Sequence, residues 1–208
     1  MNSKAQLVLK RLTDILLSLI GLILLAVPFA ITALAIKLDS KGPVFFRQVR
    51  AGLHGRGFTM YKFRTMTDKR DANGNLLPDA KRLTSLGRFL RKISIDELPE
   101  GFNVLKGDMS IVGPRPLLMR YMDRYTPQQA RRHEMKPGIT GWALVHGRNA
   151  LTWEEKFGYD VDYINNYQFG LDVKIILLTI VKVLRAEGVS RSEEETMPEF
   201  IGTKRDTD

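Results

Sequence analysis

Residues 15–36 read ILLSLIGLILLAVPFAITALAI, an apolar run without a charge, and how this run is laid out decides the fold. As one helix rising about 1.5 Å per residue it would reach roughly 33 Å, enough to cross a bilayer core. Lys4, Lys10 and Arg11 precede it, and Lys37, Lys41, Arg47 and Arg50 follow it. Positive flanks favour the cytoplasmic face, so a single crossing leaves one flank on the wrong side. Pro28 offers a way out. It lacks an amide hydrogen and clashes with the carbonyl four residues earlier, so it predicts a break. Each arm would then span only about 12 to 20 Å, giving a re-entrant hairpin that enters and leaves by one face. A proline-kinked spanning helix stays open as an alternative. So does a secretory signal, given the basic start and Ala33-Leu34-Ala35. Against the signal, the apolar stretch of about 18 residues exceeds the usual roughly 7 to 15.

Outside this run the composition is that of a folded domain: of 208 residues, 44% are hydrophobic and 26% charged. The chain has no cysteine, which excludes disulfide frameworks, zinc–thiolate sites and cysteine nucleophiles. The formal charge of +9 is unevenly spread. The body before residue 187 is near +13 and the tail near −4, by a count of roughly 29 basic against 16 acidic and then three against seven. Such a body attracts polyanions: nucleic acid, an anionic membrane, or phosphorylated small molecules.

No repeat or long linker interrupts residues 38–190, which read as one α+β domain behind the membrane segment 1–37, with 191–208 as a flexible tail. Residues 43–49 and 58–63 are β-prone and joined by a glycine-rich turn, predicting a small β-hairpin. Residues 68–78, with Asn73-Gly74 at their centre, predict a mobile loop. Helical patterns cover 81–92, 96–105, 117–125 and 127–133. Residues 171–184 read equally well as a buried core helix or as an amphipathic helix in the membrane interface.

Familiar catalytic motifs fail on spacing. His133-Glu134 lacks the second histidine of a zinc-protease helix, no serine sits in a G-x-S-x-G elbow, and Gly52–Gly57 matches neither a P-loop nor a dinucleotide fingerprint. Ser94-Ile95-Asp96-Glu97-Leu98-Pro99 is the most loaded segment. Ser94 and Glu97 have the S-x-x-E spacing of a helix capping box. Pro99 fits better if the helix starts nearer Asp96. The same residues allow chemistry. Neighbouring carboxylates on a helix diverge by about 100°, so Asp96 and Glu97 do not form a facing acid–base pair. They can divide the labour, one attacking and one holding a metal. A carboxylate approaching a diphosphate meets repulsion of roughly 4 kcal/mol per charge pair at 4 Å, so cations are required. Lys62, Arg64, Arg88, Arg91, Arg115 and Arg148 are the candidates, Arg115 being held between two prolines that restrict its backbone.

Together these residues resemble the monotopic bacterial phosphoglycosyl transferases, the bacterial sugar transferase family. The resemblance runs nearly end to end through Gln48-x-Arg50-x-Gly52, Tyr61-Lys62-Phe63-Arg64-Thr65-Met66, Ser94-x-Asp96-Glu97-Leu98-Pro99, Asn103–Ser110, Val112-Gly113-Pro114-Arg115-Pro116 and Lys136–Trp142. It implies transfer of a sugar-1-phosphate from a UDP-sugar to undecaprenyl phosphate with release of UMP. It further implies Asp96 as nucleophile forming a phosphosugar ester, and Glu97 as ligand to Mg2+. It places the chain on the cytoplasmic face of the bacterial inner membrane as a re-entrant hairpin with interfacial helices. Residues 149–157 and 171–190 are most similar to members that use UDP-diacetylbacillosamine. Membrane lipids are implied partners, nucleic acid is not, and a homodimer is left open. The other class compatible with the charge is a non-catalytic, membrane-anchored basic protein that binds nucleic acid or anionic lipid. Two departures from the family pattern stand out. Val27-Pro28 replaces a common Ser-Pro, and Leu144 and His146 replace Gln and Asn.

Overall fold

The computed structural model describes residues 4–147, 150–185 and 199–203. The apolar run forms two helices, α1 (Lys4–Leu24) and α2 (Ala26–Asp39), bent by 62° at Leu25. The break sits where Pro28 dictates: its missing N–H would have bonded Leu24, and the helix resumes with the Phe29 amide donating to the Leu25 carbonyl at 2.8 Å. Among the described residues no single helix is long and apolar enough to cross a membrane, whereas this bent pair is, taken together.

α1 is packed inside out. Lys10, Asp14 and Ser18, spaced four apart on one face, are buried, while Leu12, Leu16, Ile23 and Leu24 are exposed, as are Val27, Ile31 and Leu34 of α2. In water this arrangement would be the reverse of the rule; it suits an apolar surround. The polar face is bonded to the domain. Lys10 Nζ donates to the Val112 carbonyl at 2.7 Å and pairs with Asp172 at 2.8 Å. Asp14 Oδ1 accepts from Ser110 Oγ and the Ile111 amide, both at 2.9 Å. Arg11 donates to the Val104 and Leu105 carbonyls, closing the end of a domain helix. α1 and the domain that follows therefore share one polar interface.

The expected β-hairpin forms from β1 (Phe45–Ala51) and β2 (Gly57–Phe63), antiparallel with Phe45 opposite Phe63. Residues 68–78 make a turn closed on Asp71, whose Oδ1 accepts the Asn73 and Asn75 amides at 2.9 Å. Helical residues then appear in shorter pieces than the pattern suggested: α3 (Asp79–Arg82), α4 (Ser85–Lys92), a 3₁₀ turn Ile95–Glu97 and α5 (Glu100–Lys106). A second pair of strands, β3 (Ser110–Val112) and β4 (Gly138–Thr140), is parallel. It depends on glycine, since a Cβ on Gly113 would collide with the Lys136 carbonyl and one on Gly138 with the Gly113 amide. The segments expected to be helical at 117–125 and 127–133 are 3₁₀ turns, Met119–Arg124 and Arg131–Glu134, around the short α6 (Pro127–Ala130). α7 (Trp142–His146), α8 (Trp153–Asn165) and α9 (Phe169–Leu184) complete the order.

α9 has one buried face and one exposed apolar face. Asp172 and Ile175 are buried, whereas Val173, Leu177, Ile180 and Val181 form an exposed stripe of helical spacing. The tail expectation needs correction for residues 199–203. Phe200 is 2% exposed, set among Tyr121, Tyr125, Trp153 and Phe157, with its ring 4.9 Å from that of Phe157. Glu199 pairs with Arg120 at 2.9 Å and Arg124 at 2.8 Å, and Thr203 Oγ1 accepts from Gln129. The chain thus returns to strap the domain, because one buried ring and one double ion pair outweigh the polar bias of the tail.

Candidate active site

Asp96 and Glu97 sit on the 3₁₀ turn that links α4 to α5. The capping box expected from Ser94 and Glu97 does not form: Ser94 adopts φ 57°, its side chain makes no cap bond, and Pro99 takes the N-cap position of α5. The left-handed residue ends α4 and turns the chain sharply enough to send the Glu97 carboxylate elsewhere. Glu97 Oε1 receives Lys62 Nζ at 2.7 Å and Arg115 Nη2 at 2.7 Å. Lys62 also reaches Glu100 Oε1 at 3.1 Å.

Each cation is aimed by its element. β2 presents Lys62, and the buried Asn103 of α5 fixes that strand by accepting from the Tyr61 amide and donating to the Thr59 carbonyl. Arg115 follows β3 on the Gly113–Pro116 loop. Its carbonyl is held at 2.8 Å by Arg132, which is itself paired at 2.7 Å with Asp160 in the interior. Arg91 of α4 donates to Thr65 Oγ1 at 3.1 Å, and its charge acts on Asp96.

The three carboxyls are driven apart. Burial tends to raise Glu97, but the Arg115 and Lys62 charges and their hydrogen bonds outweigh it and hold the group well below the usual carboxylate range. Asp96 is raised, by burial and then by the Glu97 charge, with Lys62, Arg91 and Arg115 opposing. Glu100 is pushed up to about 7 by burial and by Glu97. Against an ordinary value of 4.5, folding therefore takes up a proton at Glu100, and the stability this contributes is full below about pH 4.5 and lost as pH rises through 7. Glu100→Gln, which cannot ionise, is expected to match the parent near pH 4. At pH 8 it should be more stable, by at most about 3 kcal/mol. Melting temperatures across that range check this.

The proposed phosphate-binding residues have different fates. Lys62 and Arg115 converge on the carboxylates. Arg64 does not join them: its guanidinium donates to the Ser40 and Lys41 carbonyls at 2.7 Å and to Ser40 Oγ, closing the end of α2. Arg88 lies exposed on α4. Arg148 lies outside the described residues. Sequence reasoning missed Glu100, although it follows Asp96 by four and Glu97 by three, and the buried Arg132–Asp160 pair, which has no local signal.

Beside the dyad lies a cavity of about 530 Å³, lined by Leu17, Leu22, Leu25 and Phe29 of the bent helices, by Ile139, Leu144 and Val183 of the domain, and by Glu97 and Arg115. Leu144, one of the two departures, is thus part of its apolar wall. His146, the other, stacks on Tyr159 with centroids 4.5 Å apart and bonds the Trp142 carbonyl, away from the lining. Among the described residues no group of three or more His, Asp or Glu side chains is arranged to hold a metal. Mg2+ does not need one: it keeps several waters and commonly takes one or two carboxylates together with substrate phosphates. Glu97 fits that role, its two cationic partners both falling on Oε1.

The family profile described as bacterial sugar transferase matches residues 5–186. The chain belongs to the bacterial sugar transferase family. It is 56% identical over 196 residues to the protein named uncharacterized sugar transferase EpsL of Bacillus subtilis, covering 94% of this chain and 97% of that one. It is 45% identical over 189 residues to a UDP-glucose:undecaprenyl-phosphate glucose-1-phosphate transferase of Xanthomonas campestris, covering 85% of this chain but 39% of that protein. A protein of the same name from Caulobacter vibrioides is 39% identical over 193 residues, 86% and 70% of the respective chains. The chain therefore spans nearly all of EpsL and about two fifths of the longer Xanthomonas relative.

Proposed function

We propose that the chain transfers a sugar-1-phosphate from a UDP-sugar to undecaprenyl phosphate and releases UMP. The observation that carries this reading is the position of the clamped Asp96–Glu97 turn beside an apolar cavity walled by the membrane helices. A polar phosphoryl site and an isoprenoid-sized apolar space adjoin, which is what an acceptor with a phosphate head and a hydrocarbon tail requires.

In the first step an Asp96 carboxylate oxygen attacks the β-phosphorus of the donor. The bond to the bridging oxygen breaks, and its electron pair leaves with UMP. Lys62 and Arg115 lower the repulsion between carboxylate and diphosphate. Burial keeps Asp96 a stronger base than an exposed aspartate, which favours attack, while Glu97 is held anionic. Glu97 would hold Mg2+, which supplies charge neutralisation on the phosphate oxygens. In the second step the phosphate oxygen of the polyprenyl acceptor attacks the same phosphorus and frees Asp96. The cavity receives the isoprenoid tail, and Leu144 extends its apolar wall. Relatives named for glucose and for N-acetylgalactosamine frame the donor, alongside the diacetylbacillosamine resemblance. UMP release, measured with a panel of these three UDP-sugars, polyprenyl phosphate and Mg2+, tests the reading. A chain that forms no UMP with any of them refutes it for these donors.

On this reading the protein sits in one leaflet with both ends of the bent pair on the cytoplasmic side, which the outward apolar faces of α1, α2 and α9 support. Cysteines placed at the exposed positions Lys4 and Asp39 are expected to react with an impermeant reagent from that side alone. Labelling from opposite sides would restore the spanning helix. Family membership sets aside the non-catalytic basic anchor.

A further inference from the structure

The end of β1 is bonded to the chain that follows the Arg115 loop. The Ala51 amide donates to the Leu117 carbonyl at 3.0 Å, and Arg50 pairs antiparallel with Leu118. Arg50 and Arg115 are thereby carried on neighbouring backbone segments. Gln48, two residues before Arg50 and on the same strand face, accepts from its Nη2 at 2.6 Å. This is the only side-chain hydrogen bond that Arg50 makes among the described residues, and its Nε is buried without a partner. Its charged surroundings give no relief: Arg115 and Arg120 repel it, while Glu100, itself pushed up to about 7, and Tyr121 attract it. Burial and these like charges lower it to about 10, against 12.5 ordinarily. A half-buried guanidinium with an orphaned N–H beside two other arginines lacks an anion.

We propose that Arg50 is a second anion-binding guanidinium of this site, oriented by Gln48, and that it takes the phosphate of the nucleoside monophosphate half of the donor. The assignment rests on the UDP-sugar reading above. Arg115 is committed to Glu97, beside the carboxylate that attacks the sugar-bearing phosphorus. Arg50, carried on the strand end that is paired to the chain just after Arg115, is left to meet the other phosphate of the diphosphate. When the bridging bond breaks, the departing UMP gains negative charge, and a guanidinium already in place stabilises it without proton transfer.

The test uses the full chain in nanodiscs and calorimetric binding of UMP and of uridine, so that the readout does not depend on turnover. Arg50→Met is expected to weaken UMP by about tenfold or more, with Arg50→Lys recovering part of the loss, because Lys restores the charge without the fork. Uridine, which has no phosphate, should bind parent and variants alike. UMP affinity within twofold of the parent in a variant of unchanged melting temperature overturns the assignment. So does an equal loss of UMP and uridine, which would mark a structural role. If Arg50→Met does not fold, Arg50→Lys is judged on the same criteria. A parent chain that forms no UMP from any donor defeats the transferase reading; one that does, with UMP affinity untouched in the variant, defeats only Arg50.

Discussion

Asp96→Asn is expected to lower turnover by roughly 10⁴-fold or more and to eliminate the phosphosugar adduct that the proposed mechanism has the parent accumulate when given donor without acceptor. Asn keeps the shape of the side chain and removes the anionic oxygen, so a folded variant isolates the nucleophile. Asp96 carries this expectation because the two neighbours have been made unlike. Glu97 gives one oxygen to both Lys62 and Arg115 and is held far below the carboxylate range, which makes it a poor nucleophile and a good anchor for cations. Asp96 is raised and has no ion pair within 4.0 Å among the described residues. Intact-mass measurement after exposure to donor, followed by peptide mapping, reads the result directly. An adduct retained in Asp96→Asn and lost in Glu97→Gln would reverse the two roles.

The parts of this site legible in the sequence are those where a single residue has one physical consequence. Pro28 removes one amide and the helix breaks at Leu25. The glycine-rich turn between β-prone pieces gives the β1–β2 hairpin. The cations around Asp96 and Glu97 were required by repulsion alone, and two of the six named, Lys62 and Arg115, bond Glu97. Where the sequence offered competing local rules, tertiary packing decided. The S-x-x-E spacing at Ser94 suggested a cap, but the Glu97 carboxylate gains two charge-assisted bonds by leaving it. Arg64 lies only two residues from Lys62, yet it falls just past the end of β2, and its guanidinium serves the end of α2. β3 and β4 are three residues each and parallel, too short to show a period. α8 was visible and passed over: Thr152 and Glu155 form a true capping box ahead of it. The polar stripe Lys10, Asp14, Ser18 had a readable spacing, but its inward direction follows from the distant partners of Lys10 and Asp14, Val112, Asp172, Ser110 and Ile111, which no local pattern reveals.

Arg132→Met is expected to cost about 3 to 5 kcal/mol of stability. The pair it breaks is interior, with side chains 2% and 5% exposed, and Asp160 would be left as a buried charge with no counterion. Asp160 is already raised, by burial, with Arg132 opposing, so the unpaired carboxyl would protonate and the penalty would grow with pH. The aromatic box joins this pair to the chain end: the guanidinium lies over Tyr125 at 5.9 Å and Phe157 at 5.5 Å, and both rings contact Phe200. Removing the charge therefore loosens the Arg115 carbonyl on one side and the returning strap on the other. Arg132→Met with Asp160→Leu, which removes both charges and leaves an apolar filling, should recover most of the stability. The same double variant should not recover transferase activity, because the bond that holds the Arg115 loop is still missing. Chemical denaturation of the three proteins, with turnover measured beside it, checks both halves; full recovery of activity in the double variant would show that Arg115 is held by other means.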